Sequence, residues 1–205
     1  KGRTIQALKN LSRSSLGNYD LMLTLDEVIQ FTAEHHLKKQ VDRYKADSGM
    51  VVVMDPYSGE IYAMANVPQF NPNNFNAFPR ETWKNNAVVS SYEPGSIFKP
   101  IVAAAAIDKG VAQPHDRFFC ENGSFKVGKN KIGEADNHKF GSLSMKEIIA
   151  KSSNIGAIKI AQKLGKNFFY EYIQKFGFGE KPGVRLPGVS SGLLGKRESW
   201  TNYSL

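Results

Sequence analysis

Apolar residues recur at helical spacing between residues 25 and 44, where Leu25, Val28, Ile29, Ala33, Leu37, Val41 and Tyr44 fall on one stripe. Thr24, followed three residues later by Glu27, has the form of a capping box, so the pattern predicts a long amphipathic helix that begins after Thr24. His35 and His36 are adjacent and point in different directions; they read as surface residues and not as a metal pair one helical turn apart. "GMVVVMDPYSGEIYAMAN" then reads as a hairpin, with strands over 50–54 and 61–65 and "DPYSG" as its turn. The stretch "NVPQFNPNNFNAFP" is long, aromatic and rich in Pro and Asn, as expected of an ordered loop bordering a site.

A second helix is predicted from Ser96 to Lys109, stopped by Gly110. Pro100 falls near its start, where a missing backbone donor is best tolerated. The four alanines from Ala103 to Ala106 make it a thin rod that neighbours can approach closely. Residues 112–141 are polar, with Gly and Asn turns and short strand-like pieces. "SMKEIIAKSSN" carries a capping box, Ser144 with Glu147, and leads into "SSNIGAIKIAQKLG", an apolar helix stopped by Gly165. "NFFYEYIQKFGFG" predicts a further short helix ended by Gly177. Gly and Pro dominate from Gly179 onward, and residues 1–20 read as a linker or junction from a preceding domain, leaving 21–205 as the domain proper.

Composition narrows the picture. The 205 residues are 41% hydrophobic and 22% charged, which suits a globular protein with a real core. No run approaches the roughly 18 apolar residues of a membrane span, and "KGRTIQALKN" lacks the apolar stretch of a signal peptide. A chain opening at Lys1 is expected to be a piece of a longer protein. One cysteine, Cys120, excludes an internal disulfide and a cysteine-based zinc site, and a buried, inert thiol is its expected state. The formal charge of +8 favours acidic surroundings such as anionic lipid or cell-wall polymer. The lysines are scattered and no basic run is interleaved with aromatics, so nucleic acid is not an expected partner. No metal and no cofactor are expected.

The chemistry centres on "SYEPGSIFKP". Ser96 and Lys99 are three apart, hence on one helical face. A serine hydroxyl becomes a nucleophile when a base removes its proton, and lysine can do so only when neutral. At a reference pKa of about 10.4 few lysines are neutral at pH 7, and each unit of downward shift costs about 1.4 kcal/mol, which burial must impose. A helix amino terminus favours negative charge on the serine oxygen. Taken singly, Ser-x-x-Lys and the later Ser152-Ser153-Asn154 are each short enough to arise by chance, and each is also what a helix cap beside a surface lysine looks like.

Together they carry more. "YEPGSIFKP", preceded by "DPYSGEIYAMANVPQFNPNNF" and followed by "SSNIGAIKIAQKLG", resembles the class B penicillin-binding proteins. The likeness runs on through "LTLDEVIQFTAEHHL", "GSLSMKEIIAKSSN" and "FGFGEKPGVRLPG", over most of residues 18–192. The resemblance implies an α+β fold of the serine penicillin-recognition type, an antiparallel sheet between helical layers. It implies a D,D-transpeptidase that cross-links peptidoglycan stem peptides and is acylated by β-lactams. Ser96 would be the acylated nucleophile, with its N–H as half of an oxyanion hole. Lys99 would be its general base and Ser152 the proton relay toward the leaving amine. Asn154 would bind the substrate amide and orient Lys99, while Ser153 would face into packing. "YEPGS" and "CENGSFKV" are more similar to the septal, cell-division branch than to the elongation branch. An N-terminal membrane anchor outside these residues, an extracytoplasmic location and partners in the division or elongation machinery are implied as well.

The family's third motif, Lys-Thr-Gly or Lys-Ser-Gly on an edge strand, has no match. Lys181-Pro182-Gly183 is rejected because Pro182 removes a donor and the segment lies among glycine turns. The C-terminal strands are therefore expected to lie beyond this sequence, and this stretch alone is expected not to turn over substrate. Two other readings stand beside the transpeptidase: a non-catalytic β-lactam sensor or divisome scaffold, and a serine β-lactamase, for which no acidic residue can be assigned to position a hydrolytic water.

Overall fold

A computed structural model describes residues 21–201; the predicted linker over 1–20 lies outside the described residues. The chain divides into two compact units, 1–87 and 88–205.

In the first unit, α1 (Glu27–Tyr44) packs on a hairpin of β1 (Gly49–Met54) and β2 (Ile61–Val67), antiparallel with Val51 opposite Ala65. Its inward side is narrower than the predicted stripe. Leu37 is buried and Ile29, Ala33 and Val41 are half-buried, while Leu25, Val28 and Tyr44 face solvent. The helix also starts later than the Thr24 signature predicts. Thr24 Oγ1 donates to Ile61 O at 2.6 Å and Asp26 N–H donates to Tyr62 O at 3.0 Å, so strand contacts keep this stretch extended. Asp26 is the cap instead, accepting from Ile29 N–H at 2.9 Å. The Pro/Asn-rich loop that follows is ordered as two 3₁₀ turns, Pro72–Ala77 and Arg80–Trp83.

The boundary between the units falls inside a single helical turn, α2 (Asn86–Val89). The second unit holds the larger core, built around α3 (Lys99–Asp108), α4 (Met145–Ala150), α5 (Asn154–Leu164) and α6 (Lys166–Lys175). Short antiparallel ladders flank the helices. β3 (Arg117–Phe119) pairs with β6 (Ser142–Ser144), and β4 (Ser124–Val127) forms a hairpin with β5 (Asn130–Gly133). All ladders among the described residues are antiparallel pairs, in keeping with an α+β fold.

Two of the predicted helix ends hold in detail. Ser144 Oγ accepts from Glu147 N–H at 3.2 Å while Glu147 Oε2 accepts from Ser144 N–H at 2.8 Å, a complete capping box at the start of α4. Gly165, at φ 76°, ends α5. The alanines of α3 do make it a rod that can be approached, with Ala105 and Ala106 fully buried against the core.

A tight helix contact lies between α4 and α5. A Cβ on Gly156 would come within 2.5 Å of Ile148 Cγ1 and 2.7 Å of its Cδ1. Ile148 is itself fully buried, so it has no room to withdraw. Alanine ordinarily gains up to about 1 kcal/mol over glycine within a helix; overpacking a tight core costs about 1–3 kcal/mol. Gly156→Ala is therefore expected to destabilise the protein in urea unfolding. Paired with Ile148→Ala, which removes the colliding atoms, it should cost much less than the two single losses added together. Additive losses would show that α5 does not depend on this contact.

Candidate active site

Ser96 lies in a 3₁₀ turn, Gly95–Phe98, which leads directly into α3. The predicted α-helical start at Ser96 is corrected here, and Pro100 explains the change. It has no N–H to offer Ser96 O, which accepts instead from the Lys99 N–H, three residues on. Gly95, at φ 59°, supplies the left-handed residue that turns the chain into this segment. Phe98 anchors it, with its ring edge-on to Phe169 and Phe178 at centroid distances of 6.1 and 5.2 Å. Ser96 and Ile97 are left exposed on the outer side.

Lys99, the first residue of α3, is half-buried. Its Nζ donates to Ser152 O at 2.5 Å, Ser152 Oγ at 3.0 Å and Asn154 Oδ1 at 2.7 Å. An ammonium group has three donors, so these contacts use all of them. Burial pulls the Lys99 pKa below its ordinary value, and the negative charge of Glu134 works in the opposite direction.

The oxygens around Lys99 come from the turn between α4 and α5. Ser152 is held at φ 55°, in the left-handed region, by bonds from its N–H to Ile149 O at 3.2 Å and from Ser153 N–H to Ile148 O at 2.9 Å. Such a conformation costs a non-glycine residue about 1 kcal/mol or more. Ser153 is fully buried and caps α5, accepting from Gly156 N–H at 3.0 Å. Its side chain faces the interior, as the sequence implied.

Glu134 is the buried carboxylate beside this cluster that the sequence did not reveal. It follows β5 and is only 8% exposed. Its Oε1 accepts from Ser153 Oγ at 2.6 Å and its Oε2 from Asn154 N–H at 2.6 Å. The preceding residue, Gly133, accepts from Asn154 Nδ2 at 3.0 Å, which leaves Asn154 Oδ1 aimed at Lys99. A buried carboxylate at the amino end of α5 is favoured by the free amides and the dipole there. An acidic residue between a strand-like run and a turn is common, and its partners lie about twenty residues away; no local signal marks it. Cys120 borders the same cluster. It is fully buried, and burial pushes its thiol above the ordinary value, which makes it unreactive.

Lys181, Pro182 and Gly183 lie in an irregular, exposed segment. Of the residues singled out in the sequence, Lys99, Ser152 and Asn154 thus meet through hydrogen bonds, with Ser96 three residues ahead of Lys99 on the same turn.

The penicillin binding protein transpeptidase domain family matches residues 49–205. Penicillin-binding protein PbpB of Mycolicibacterium smegmatis is 36% identical over 185 residues, covering 90% of this chain and 28% of that protein. Peptidoglycan D,D-transpeptidase FtsI of Escherichia coli K12 is 30% identical over 201 residues, 98% of this chain and 33% of its own length. Among solved structures, the transpeptidase domain of Burkholderia pseudomallei penicillin-binding protein 3 superimposes with a TM-score of 0.78 at 29% identity, over 89% of this chain and 50% of that one. The chain belongs to the penicillin-binding protein transpeptidase family, and it spans about a third of the length of these relatives.

The strain at Ser152 can be measured. Ser152→Gly and Ser152→Ala both remove the hydroxyl that Lys99 reaches, but only glycine adopts the left-handed backbone freely. The glycine variant is expected to be about 1 kcal/mol more stable than the alanine variant in urea unfolding. An alanine variant of equal or greater stability would show that the turn carries no strain.

Proposed function

We propose that the protein is a peptidoglycan D,D-transpeptidase of class B that cross-links stem peptides through an acyl-enzyme on Ser96 and is a target of β-lactams. The observation that carries this reading is the convergence of Lys99 Nζ, Ser152 Oγ and Asn154 Oδ1 in a desolvated cup beside the turn that holds Ser96. Neutral Lys99 takes the proton of the Ser96 hydroxyl as Oγ attacks the donor carbonyl. The C–N bond of the terminal peptide link then breaks, and the proton returns through Ser152 Oγ to the leaving amine. An amine of a neighbouring stem peptide attacks the ester and releases Ser96. Asn154, with its Nδ2 tied to Gly133, holds Lys99 in place and borders the substrate amide.

A hydrolytic β-lactamase reading is less well supported. The acid nearest this cluster, Glu134, has its oxygens engaged by Ser153 and Asn154 and is not free to activate water. The similarity to FtsI, with "YEPGS" and "CENGSFKV", favours septal wall synthesis over elongation. The same likeness supports work at the outer face of the cytoplasmic membrane, beside division proteins, with the anchor and the Lys-Thr/Ser-Gly strand elsewhere in the full protein. Among the described residues no helix is long and apolar enough to cross a membrane.

Labelling of the full-length protein with a fluorescent penicillin tests the roles. Ser96→Ala should give no adduct, and Lys99→Met should slow labelling about a hundredfold or more. Because the base must be unprotonated, the wild-type rate should rise with pH through the Lys99 pKa, in a range below that of an ordinary lysine. Labelling of Lys99→Met at the wild-type rate would remove Lys99 from the mechanism, and a sensor or scaffold would show an adduct without stem-peptide turnover.

A further inference from the structure

Resting on the reading just given, we infer that Glu134 is a positioning residue for the reaction: its buried carboxylate fixes the Ser153–Asn154 turn that holds Lys99 and places a negative charge behind that turn. The inference begins with a count of bonds. Oε1 is taken by Ser153 Oγ and Oε2 by Asn154 N–H, both at 2.6 Å, while the neighbouring carbonyl of Gly133 takes Asn154 Nδ2 at 3.0 Å. Both the backbone and the side chain of Asn154 are thus tied to the end of one hairpin. Asn154 Oδ1 has a single remaining direction, toward Lys99 Nζ at 2.7 Å. Ser153 is doubly committed, since its Oγ also accepts from Gly156 N–H at 3.0 Å and so starts α5.

The charge of Glu134 has few competitors. Among the described residues it is the charged group that acts on Lys99, and it opposes the effect of burial. Several other charges on and beside the helices around α3 are engaged elsewhere. Glu147 is held by Ser144, Lys151 lies over the Phe140 ring, and Lys163 lies over Phe118. Lys109 donates to Leu164 O and Lys166 to Trp200 O. On the side facing Cys120, Lys159 is paired with Glu121. The Cys120 thiol adds no negative charge to that of Glu134, because burial raises its pKa.

Charge and reach can be separated by substitution. Glu134→Gln keeps the size but removes the charge, and its amide cannot accept from both Ser153 and Asn154. Glu134→Asp keeps the charge but withdraws it by one methylene. The rate of penicillin acylation of the full-length protein would be followed across pH for each. In the Gln variant the acidic limb is expected to move to lower pH, since loss of a nearby negative charge disfavours the ammonium form. The plateau should fall about ten- to a hundredfold as the Asn154 geometry loosens. In the Asp variant the limb should stay at the wild-type pH while the plateau falls. A limb in the Gln variant that coincides with wild type would overturn the electrostatic part, whatever the plateau. If the Gln variant does not fold, the Asp variant decides alone: a wild-type plateau would overturn the positioning role. Loss of the adduct in Ser96→Ala is the control for the underlying reading. Should wild-type protein form no Ser96 adduct at all, the transpeptidase assignment fails; should it form one with profiles indifferent to residue 134, only this inference fails.

Discussion

One carboxylate and one ammonium group meet at the amino end of α5, and neither is well solvated. Glu134 is almost fully buried and Lys99 half-buried, so each would be costly without partners. The protein meets that cost with hydrogen bonds. Two donors converge on Glu134, and the Lys99 ammonium has three acceptors within 3.0 Å. Since Ser153 and Asn154 stand between them, the two charges are coupled through the same turn without forming a direct ion pair. Burial draws the Lys99 pKa down and Glu134 draws it up, opposing effects of the kind the proposed general-base role calls for.

The surrounding core makes this turn rigid. Gly156 lets α5 lie directly on Ile148 of α4, and the two helices flank the Ser152–Ser153 turn. Between them Ser152 takes a left-handed conformation that serine would not choose by itself. Strain at Ser152 is tolerable here because fully buried residues on either side, Ile148 and Ile155, hold the backbone in place. On the opposing side, the alanines of α3 allow the first turn carrying Lys99 to approach α5, while Phe98 fixes the segment bearing Ser96 by packing on Phe169.

Much of this was readable from residues alone, and the readable parts are local. The Ser144–Glu147 box, the Gly165 stop and the hairpin turn of "DPYSG" all depend on groups within a few positions of one another, so their chemistry is contained in a short window. Local signals misled where a distant partner competed for the same group. Thr24 looked like a helix cap, but Ile61 O took its hydroxyl, and the cap passed to Asp26. The helix predicted from Ser96 became a 3₁₀ turn because of Pro100, a consequence that the sequence contained and that only a bond-by-bond reading brings out.

The amino-acid sequence by itself determined which reactive groups exist, their spacing along the chain, and the family to which their order belongs. The tertiary structure alone decided the direction in which Lys99 points, the depth at which its charge is buried, and the choice of Glu134 as the carboxylate that acts on it. The reason is physical. Ser96 and Lys99 are three residues apart in sequence, whereas the field acting on Lys99 depends on distance through space and on exclusion of water. Both of those are set by the folding of residues 133–134 against 153–154, which no window of sequence contains.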